Sequence, residues 1–152
     1  MFGWLAKKKL VLNAPCDGEI VELENVNDEV FSKKMVGDGV ALLPKGDTIC
    51  SPARGVITKI FPTCHAFVLK ADKVEIIVHI GIDTVKLKGE GFRALVSQGE
   101  EVDAGKPIIS IDRAFLEANG ADLTTPIVVN KTVNILVSGF VKSGESIMEV
   151  VL

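Results

Sequence analysis

The sequence predicts an all-β fold, an antiparallel sandwich or barrel with a few short helical turns. From residue 10 onward, short apolar runs alternate with Gly, Pro, Asp and Asn at intervals of roughly ten residues. This spacing is typical of strands and turns in sandwiches and barrels. Two pairs of related segments also recur along the chain, and helical patterns are brief.

The strand predictions follow runs that are rich in β-branched and aromatic residues. In chain order the predicted strands are 11–14, 18–23, 40–43, 48–50, 55–61, 66–70, 75–80, 108–111, 127–129, 133–136, 139–141 and 147–151. Single helical turns are predicted at 28–31 and 91–96, and a short helix at 113–118, where Asn119-Gly120 is a fitting stop.

The repeats predict two related halves. Residues 14–20 read A-P-C-D-G-E-I and residues 51–57 read S-P-A-R-G-V-I, while 102–108 and 141–147 both follow V-x-x-G-x-x-I. Self-similarity at a fixed spacing is the sequence signature of a repeated structural unit. We therefore expect a sandwich in which two similar units pack together.

Composition excludes several classes of protein. The chain has 152 residues, 47% of them hydrophobic, and a formal net charge of −3. That length fits one compact domain, and the charge does not suit binding to nucleic acid. Three scattered cysteines without a C-x-x-C pair favour a reducing cytoplasm over a disulfide framework.

The first ten residues differ from the rest. Residues 1–6 are apolar and include a Trp, and three lysines follow at 7–9. We expect residues 1–10 to be a flexible tail with weak affinity for an anionic membrane surface, and residues 11–152 to form a single domain. No signal peptide and no membrane-spanning run is predicted, and a monomer is expected.

Both histidines of the chain fall in one predicted hairpin. His65 lies in the run F-P-T-C-H-A-F-V and His79 in V-E-I-I-V-H-I-G-I-D. With the turn centred between residues 71 and 72, His65 pairs with about position 78, and a one-residue slip sets the two rings side by side. Two imidazoles converging on one apolar sheet face favour a functional site over ordinary packing.

Further candidates surround this pair. Thr63 precedes His65 by two residues, so in an extended segment its hydroxyl shares a face with the ring and could orient it. Asp38 lies in a G-D-G turn, and Asp83 follows His79 closely. An apolar rim for docking a partner is expected from Val40, Phe61, Phe67, Ile77 and Ile80.

The run V-H-I-G-I-D-T-V-x-L-x-G-x-G-F, with T-x-H-A-F and G-D-G before it, resembles enzyme IIA of the glucose class of the bacterial phosphoenolpyruvate-dependent sugar phosphotransferase system. The resemblance covers nearly the whole chain from about residue 14. It implies a β-sandwich of the duplicated hybrid-motif type, a cytoplasmic location that includes the inner face of the membrane, no cofactor, and a role in a phosphoryl relay.

The resemblance also assigns roles. The protein would take a phosphoryl group from the phosphohistidine of the small carrier HPr and pass it to a cysteine on the IIB domain of a sugar permease. His79 would carry the group, His65 would stabilise it, and Thr63 would hold His65. Asp38 and Asp83 would face positive residues of the partners, and members of the family also bind regulatory proteins.

Elementary chemistry agrees with this reading. A neutral imidazole has one nitrogen lone pair that can attack phosphorus, provided that the other nitrogen keeps its proton and is held in place. A backbone carbonyl is the simplest acceptor for that proton, and Gly81 is the candidate. Phosphoryl transfer then needs positioning and charge stabilisation more than further covalent chemistry.

Three other classes of protein could be built on a similar β scaffold. A zinc-dependent hydrolase would need a third ligand, and no H-x-H or H-E-x-x-H pattern is present. No metal is required, although His65 and His79 could bind zinc adventitiously. A swinging-arm carrier would need a modified lysine in a Met-Lys-Met or Asp-Lys-Ala setting, which does not occur. A non-enzymatic binding module stays open.

Overall fold

A computed structural model describes residues 8–152. Within them the chain forms fourteen strands and two short helices. The strands are β1 (Lys9–Asn13), β2 (Gly18–Glu22), β3 (Asp38–Pro44), β4 (Thr48–Cys50), β5 (Gly55–Ile60), β6 (Ala66–Ala71), β7 (Val74–His79), β8 (Phe92–Ala94), β9 (Glu101–Val102), β10 (Pro107–Ile111), β11 (Thr125–Val129), β12 (Val133–Ile135), β13 (Phe140–Val141) and β14 (Ser146–Val151). The helices are α1 (Glu29–Ser32) and α2 (Arg113–Ala118), and 3₁₀ turns occur at Leu23–Asn25 and Thr84–Leu87.

The strands form one large antiparallel sheet and two small ones. The large sheet has eight strands in the order β13-β2-β3-β11-β7-β6-β5-β9. The small sheets have the orders β1-β14-β12 and β4-β10-β8. Since all paired strands are antiparallel and helices are few, the predicted all-β sandwich is confirmed.

Hydrogen bonds at the repeats show that the two halves are related. Asn13 N–H donates to Pro52 O, and Cys50 N–H donates to Pro15 O, both at 2.8 Å. The two bonds are equivalent, because Pro15 and Pro52 occupy the same place in the A-P and S-P repeats. Each proline accepts through its carbonyl and has no N–H group to donate. The strand order of the large sheet is correspondingly mirrored about its centre, β2 matching β5 and β13 matching β9. The prediction of two similar units is confirmed.

Two apolar clusters hold the fold together. The larger lies inside the sandwich, where strand alternation directs every second side chain of the large sheet. Its fully buried members include Leu12, Leu42, Ile49, Ile57, Phe67, Ile80, Ile108 and Ile147. The smaller covers the outer face of the same sheet beneath α1 and consists of Leu23, Val26, Phe31, Ala41, Ile82 and Val128.

Three details of the secondary structure differ from the predictions. Residues 92–94 form strand β8, paired with β10, so the helical turn predicted at 91–96 is wrong. The short strand β9 was not predicted. Strand β1 begins at Lys9, whose partner is Val151, so the last two residues of the predicted tail belong to a sheet. The rest of that tail, residues 1–7, lies outside the described residues.

No helix in residues 8–152 has the length and apolar character needed to cross a membrane.

Candidate functional site

The site is built on the hairpin β6–β7. Asp72 and Lys73 form its two-residue turn, with φ of 46° and 65°, as a type I′ connection requires. Ala66 pairs with His79, so the turn is centred one position later than predicted and each paired residue lies two positions from its predicted partner. His65 therefore faces Ile80, beyond the predicted one-residue slip, and the two histidines are still neighbours.

The two imidazoles lie in contact. Their ring centroids are 4.9 Å apart and their planes are inclined by 82°. His65 stands just before β6, after Cys64 in the left-handed conformation at φ 57°, and its carbonyl accepts a hydrogen bond from Ile80 N–H at 2.6 Å. His65 is buried, with 5% of its surface exposed, whereas His79 is half-buried at the end of β7. His79 is therefore the more accessible ring.

Each ring is oriented through its Nδ1 atom. His79 Nδ1 lies 2.7 Å from Gly81 O, and because a carbonyl can only accept, the Nδ1–H donates. His65 Nδ1 lies 2.5 Å from Thr63 Oγ1. Both predicted contacts are present. Since no described residue hydrogen-bonds to either Nε2, these are the nitrogens left for chemistry.

Both imidazoles are kept neutral by their surroundings. Burial, and to a smaller extent the neighbouring His79, lower the pKa of His65 from 6.5 to about 4. Burial also lowers the pKa of His79, against the opposing effects of its bond to Gly81 O and of the carboxylates of Asp28 and Asp83. At neutral pH both rings are therefore uncharged.

Aromatic rings border the histidines on two sides. Phe31 of α1 packs on His79 with a centroid distance of 5.1 Å. Phe61 meets His65 nearly edge-on at 5.6 Å, and Lys59 Nζ lies 4.6 Å from the centre of the Phe61 ring. These apolar faces limit access of water to the two imidazoles.

The acidic residues near His79 are Asp28 and Asp83. Asp28 is the N-cap of α1, where its side chain accepts a hydrogen bond from Val30 N–H at 2.9 Å. Asp83 lies at the start of the second 3₁₀ turn in the left-handed conformation, φ 57°. Asp28 was not among the predicted site residues. It was assigned only to the helical turn predicted at 28–31, whose first residue it is.

Asp38 does not lie with the histidines. It pairs with Val129, which pairs with Ile76, so Asp38 shares the sheet face of Ile76 and not that of His79. Its carboxylate contacts Lys34 Nζ at 3.4 Å. The prediction that Asp38 faces partners beside the histidines is wrong, and Asp28 occupies that place.

The predicted docking rim is only partly exposed. Val40, Phe67 and Ile80 are at most 1% exposed and belong to the larger apolar cluster, so they cannot touch a partner and this part of the prediction is wrong. Phe61 and Ile77 are half-buried. The exposed apolar side chains that were not predicted include Val30 on α1, Met35 just after α1, and Val85 in the 3₁₀ turn that follows Asp83.

The described residues contain no group of three or more His, Cys, Asp or Glu side chains arranged to hold a metal ion. The histidine pair supplies two nitrogen ligands, fewer than the three protein ligands of catalytic zinc sites. What the arrangement offers is an oriented lone pair on His79 Nε2 beside a second imidazole, which suits nucleophilic attack on phosphorus.

Comparison with known proteins supports the same class. Residues 10–135 match the family model described as phosphoenolpyruvate-dependent sugar phosphotransferase system, EIIA 1. The chain is 47% identical over 140 residues to the PTS system glucose-specific EIIA component of Haemophilus influenzae, covering 89% of this chain and 84% of that one. It is 44% identical over 147 residues to the PTS system N-acetylglucosamine-specific EIICBA component of Klebsiella pneumoniae, of which it spans 23%.

A solved structure agrees closely. The glucose permease IIA from Mycoplasma capricolum superposes with a TM-score of 0.88 and 39% sequence identity, covering 97% of this chain and 99% of that one. The chain belongs to the EIIA 1 family of the phosphoenolpyruvate-dependent sugar phosphotransferase system. It is accordingly a phosphoryl carrier with phosphotransferase activity, and the zinc hydrolase alternative is set aside.

Proposed function

We propose that His79 is the phosphoryl acceptor, loaded by the phosphohistidine of HPr and discharged onto a cysteine of the IIB domain of a glucose-type sugar permease. One observation carries this assignment above the others. His79 is the accessible ring of the pair, and its Nδ1–H is committed to Gly81 O, which leaves the lone pair on Nε2. A nucleophile prepared in this way needs no further base.

The transfer balances without a redox step. The Nε2–P bond of His79 forms as the N–P bond of the donor phosphohistidine breaks, and the donor imidazole leaves with the electron pair. In the second transfer an S–P bond forms on a cysteine thiolate while the Nε2–P bond breaks. Because His79 then recovers its lone pair with Nδ1 still protonated, the chain returns to its starting state.

His65 stabilises the phosphoryl group in transit. When Thr63 donates its hydroxyl proton to His65 Nδ1, the ring proton of His65 lies on Nε2, directed toward the neighbouring imidazole. This N–H then donates to a phosphoryl oxygen. The low pKa of His65 applies to the site without a phosphoryl group. A bound phosphoryl dianion would raise this pKa and favour protonation of His65, which would strengthen the hydrogen bond from its Nε2–H to the phosphoryl oxygen.

Partners would dock around the two rings. The carboxylates of Asp28 and Asp83 attract basic residues of HPr and of the IIB domain and raise the rate of encounter. The half-buried Phe61 and Ile77, together with Met35, provide apolar contact area. We place the chain in the cytoplasm as a monomer that forms short-lived complexes, with regulatory proteins as further users of the same face.

The test is phosphorylation with purified components. The chain is mixed with phosphoenolpyruvate, enzyme I and HPr, and intact mass is measured for one added phosphoryl group. We expect an acid-labile, base-stable adduct on the wild type and none on His79→Gln. His65→Gln should load, more slowly, but fail to phosphorylate an isolated IIB domain.

Glu29 is exposed and directly follows the N-cap residue Asp28. Glu29→Gln is the control, because it changes the charge near α1 without touching either ring, and it should gain a phosphoryl group at the wild-type rate. A wild-type chain that gains no phosphoryl group, or a His79→Gln chain that gains one at His65, would refute the assignment of His79.

A further inference from the structure

The turn that follows β7 is held by a buried threonine. Thr84 is 2% exposed, and its hydroxyl donates to Ile80 O at 2.6 Å. A Cβ atom added at Gly81 would lie 2.5 Å from the Thr84 methyl carbon, so this methyl group packs directly against the Gly81 backbone. The Thr84 side chain therefore holds the turn in two ways, through a hydrogen bond to the Ile80 carbonyl and through packing of its methyl group against the Gly81 backbone.

Backbone hydrogen bonds hold both ends of the turn. Ile80 N–H donates to His65 O at 2.6 Å, and Ile82 N–H, which belongs to the same peptide as the Gly81 carbonyl, donates to Asp122 O at 2.8 Å. Between these two anchors, Gly81 adopts φ +81°, in a region where glycine moves freely. Its carbonyl is the group that accepts the His79 Nδ1–H, so the orientation of this one peptide decides whether that bond is made.

We propose that Thr84 is a positioning residue for phosphoryl transfer, whose hydroxyl and methyl groups hold the Gly81 carbonyl on His79 Nδ1 and so keep the lone pair on Nε2. The inference rests on the proposed role of His79 as acceptor. Among the described residues the Thr84 hydroxyl bonds to the Ile80 carbonyl and to neither imidazole, so Thr84 acts through the backbone of Ile80 and Gly81.

The physical reason is the choice of tautomer. Which nitrogen of a neutral imidazole carries the proton is set by the hydrogen bond that the other makes. Without the Thr84 hydroxyl, the buried Ile80 carbonyl loses its donor. The Gly81–Ile82 peptide is then held on this side only by its bond to Asp122 O, and rotation at Gly81 can turn its carbonyl away from His79. The proton then also populates Nε2, where it blocks the nucleophilic lone pair.

The experiment compares three variants with the wild type. Thr84→Val keeps the shape and removes the hydroxyl, while Thr84→Ser keeps the hydroxyl. Ser51→Ala is the matched control, because Ser51 is also buried and its hydroxyl donates to a backbone carbonyl, Ala53 O at 2.7 Å, but it follows β4 and does not belong to the Gly81 turn. Imidazole ¹⁵N shifts report the tautomer of His79, and intact mass against time reports loading from phosphorylated HPr.

For Thr84→Val we expect the His79 signals to move from the pure Nδ1–H form toward a mixture, and the loading rate to fall roughly fivefold, the effect of one ordinary hydrogen bond. Thr84→Ser should recover most of the rate. Ser51→Ala should lose comparable thermal stability but keep the wild-type tautomer and rate. Should Thr84→Val not fold, Thr84→Cys, with its weak donor, is expected to show the same change in tautomer.

An unchanged tautomer in Thr84→Val or Thr84→Cys, with loading as in the wild type, would overturn the inference while leaving the proposed function intact. Equal loss of rate in Ser51→Ala would also overturn it, because the effect would then be one of general stability. Failure of the wild type to load would refute the proposed function, and the ¹⁵N shifts would still decide whether Thr84 sets the tautomer.

Discussion

Acidification is expected to destabilise the protein through His65. In the folded chain, burial and the neighbouring His79 lower the pKa of this ring from 6.5 to about 4, whereas the unfolded chain exposes it at its ordinary value. As the pH falls, the unfolded state therefore binds a proton first. The contribution to stability is present above about pH 6.5 and is lost progressively as the pH falls toward about pH 4.

The magnitude follows from the two pKa values. The pKa of His65 is near 6.5 in the unfolded chain and about 4 in the folded chain. This difference lowers the free energy of unfolding by about 2 kcal/mol when the pH falls from about 7 to about 5. That is a substantial part of the roughly 5–15 kcal/mol that stabilises an ordinary domain. Burial of His79 acts in the same direction.

The assay is urea unfolding of the wild type, His65→Gln and His79→Gln at both pH values, with an NMR titration of the histidine ring protons. His65→Gln removes the titrating group, so its acid loss should be smaller than that of the wild type by about 2 kcal/mol. His79→Gln is the matched variant, because it changes the more exposed histidine in the same way. It should keep the larger part of the acid-induced loss of unfolding free energy. An acid loss in His65→Gln equal to that of the wild type, or a His65 titration near 6.5, would refute the reasoning.

Two further predictions concern the surroundings of the site. Asp28→Asn keeps an N-cap acceptor for α1 but removes a carboxylate that raises the pKa of His79, so the NMR titration of His79 should shift to lower pH, while Glu29→Gln should leave it in place. Equal shifts in both variants would contradict this. In Gly39→Ala the new Cβ would lie 2.0 Å from Ile127 O in the paired strand, and urea unfolding should show a loss of roughly 2–3 kcal/mol. Gly99→Ala, where no atom lies within 4 Å, should lose only about 1 kcal/mol from its positive φ, and a similar loss in both variants would argue against the clash.

The histidine hairpin could be predicted because its signals are local. Runs of β-branched residues mark β6 and β7, and antiparallel pairing then brings His65 and His79 together. The turn centre was wrong by one position, and the pairing by two residues, because Asp72-Lys73 lacks the glycine that usually marks a type I′ turn. The segment 91–96 was misassigned because a strand of three residues is too short to show the alternation of period two.

The surroundings of the pair depend on tertiary structure that no local pattern reveals. Asp28 and Phe31 reach His79 because α1 covers the outer face of the large sheet. The orientation of Asp38 follows from its register with β11 and, through β11, with β7. Val40 is an apolar residue next to the G-D-G turn that was predicted to lie at the site. Alternation along β3 directs its side chain into the core.

The parts of the site also differ in the distance that the chain must travel to bring them together. The two imidazoles meet in a hairpin closed by two residues, an event that takes about 1–10 μs in isolated hairpins. Phe31 and strand β11 come from remote parts of the chain, and such non-local pairing slows folding to milliseconds or longer. Because an isolated two-stranded hairpin is marginally stable at best in water, the two rings stay together only when the remote strands have docked. During refolding the pKa of His65 should therefore fall from its ordinary value in the slow, non-local step.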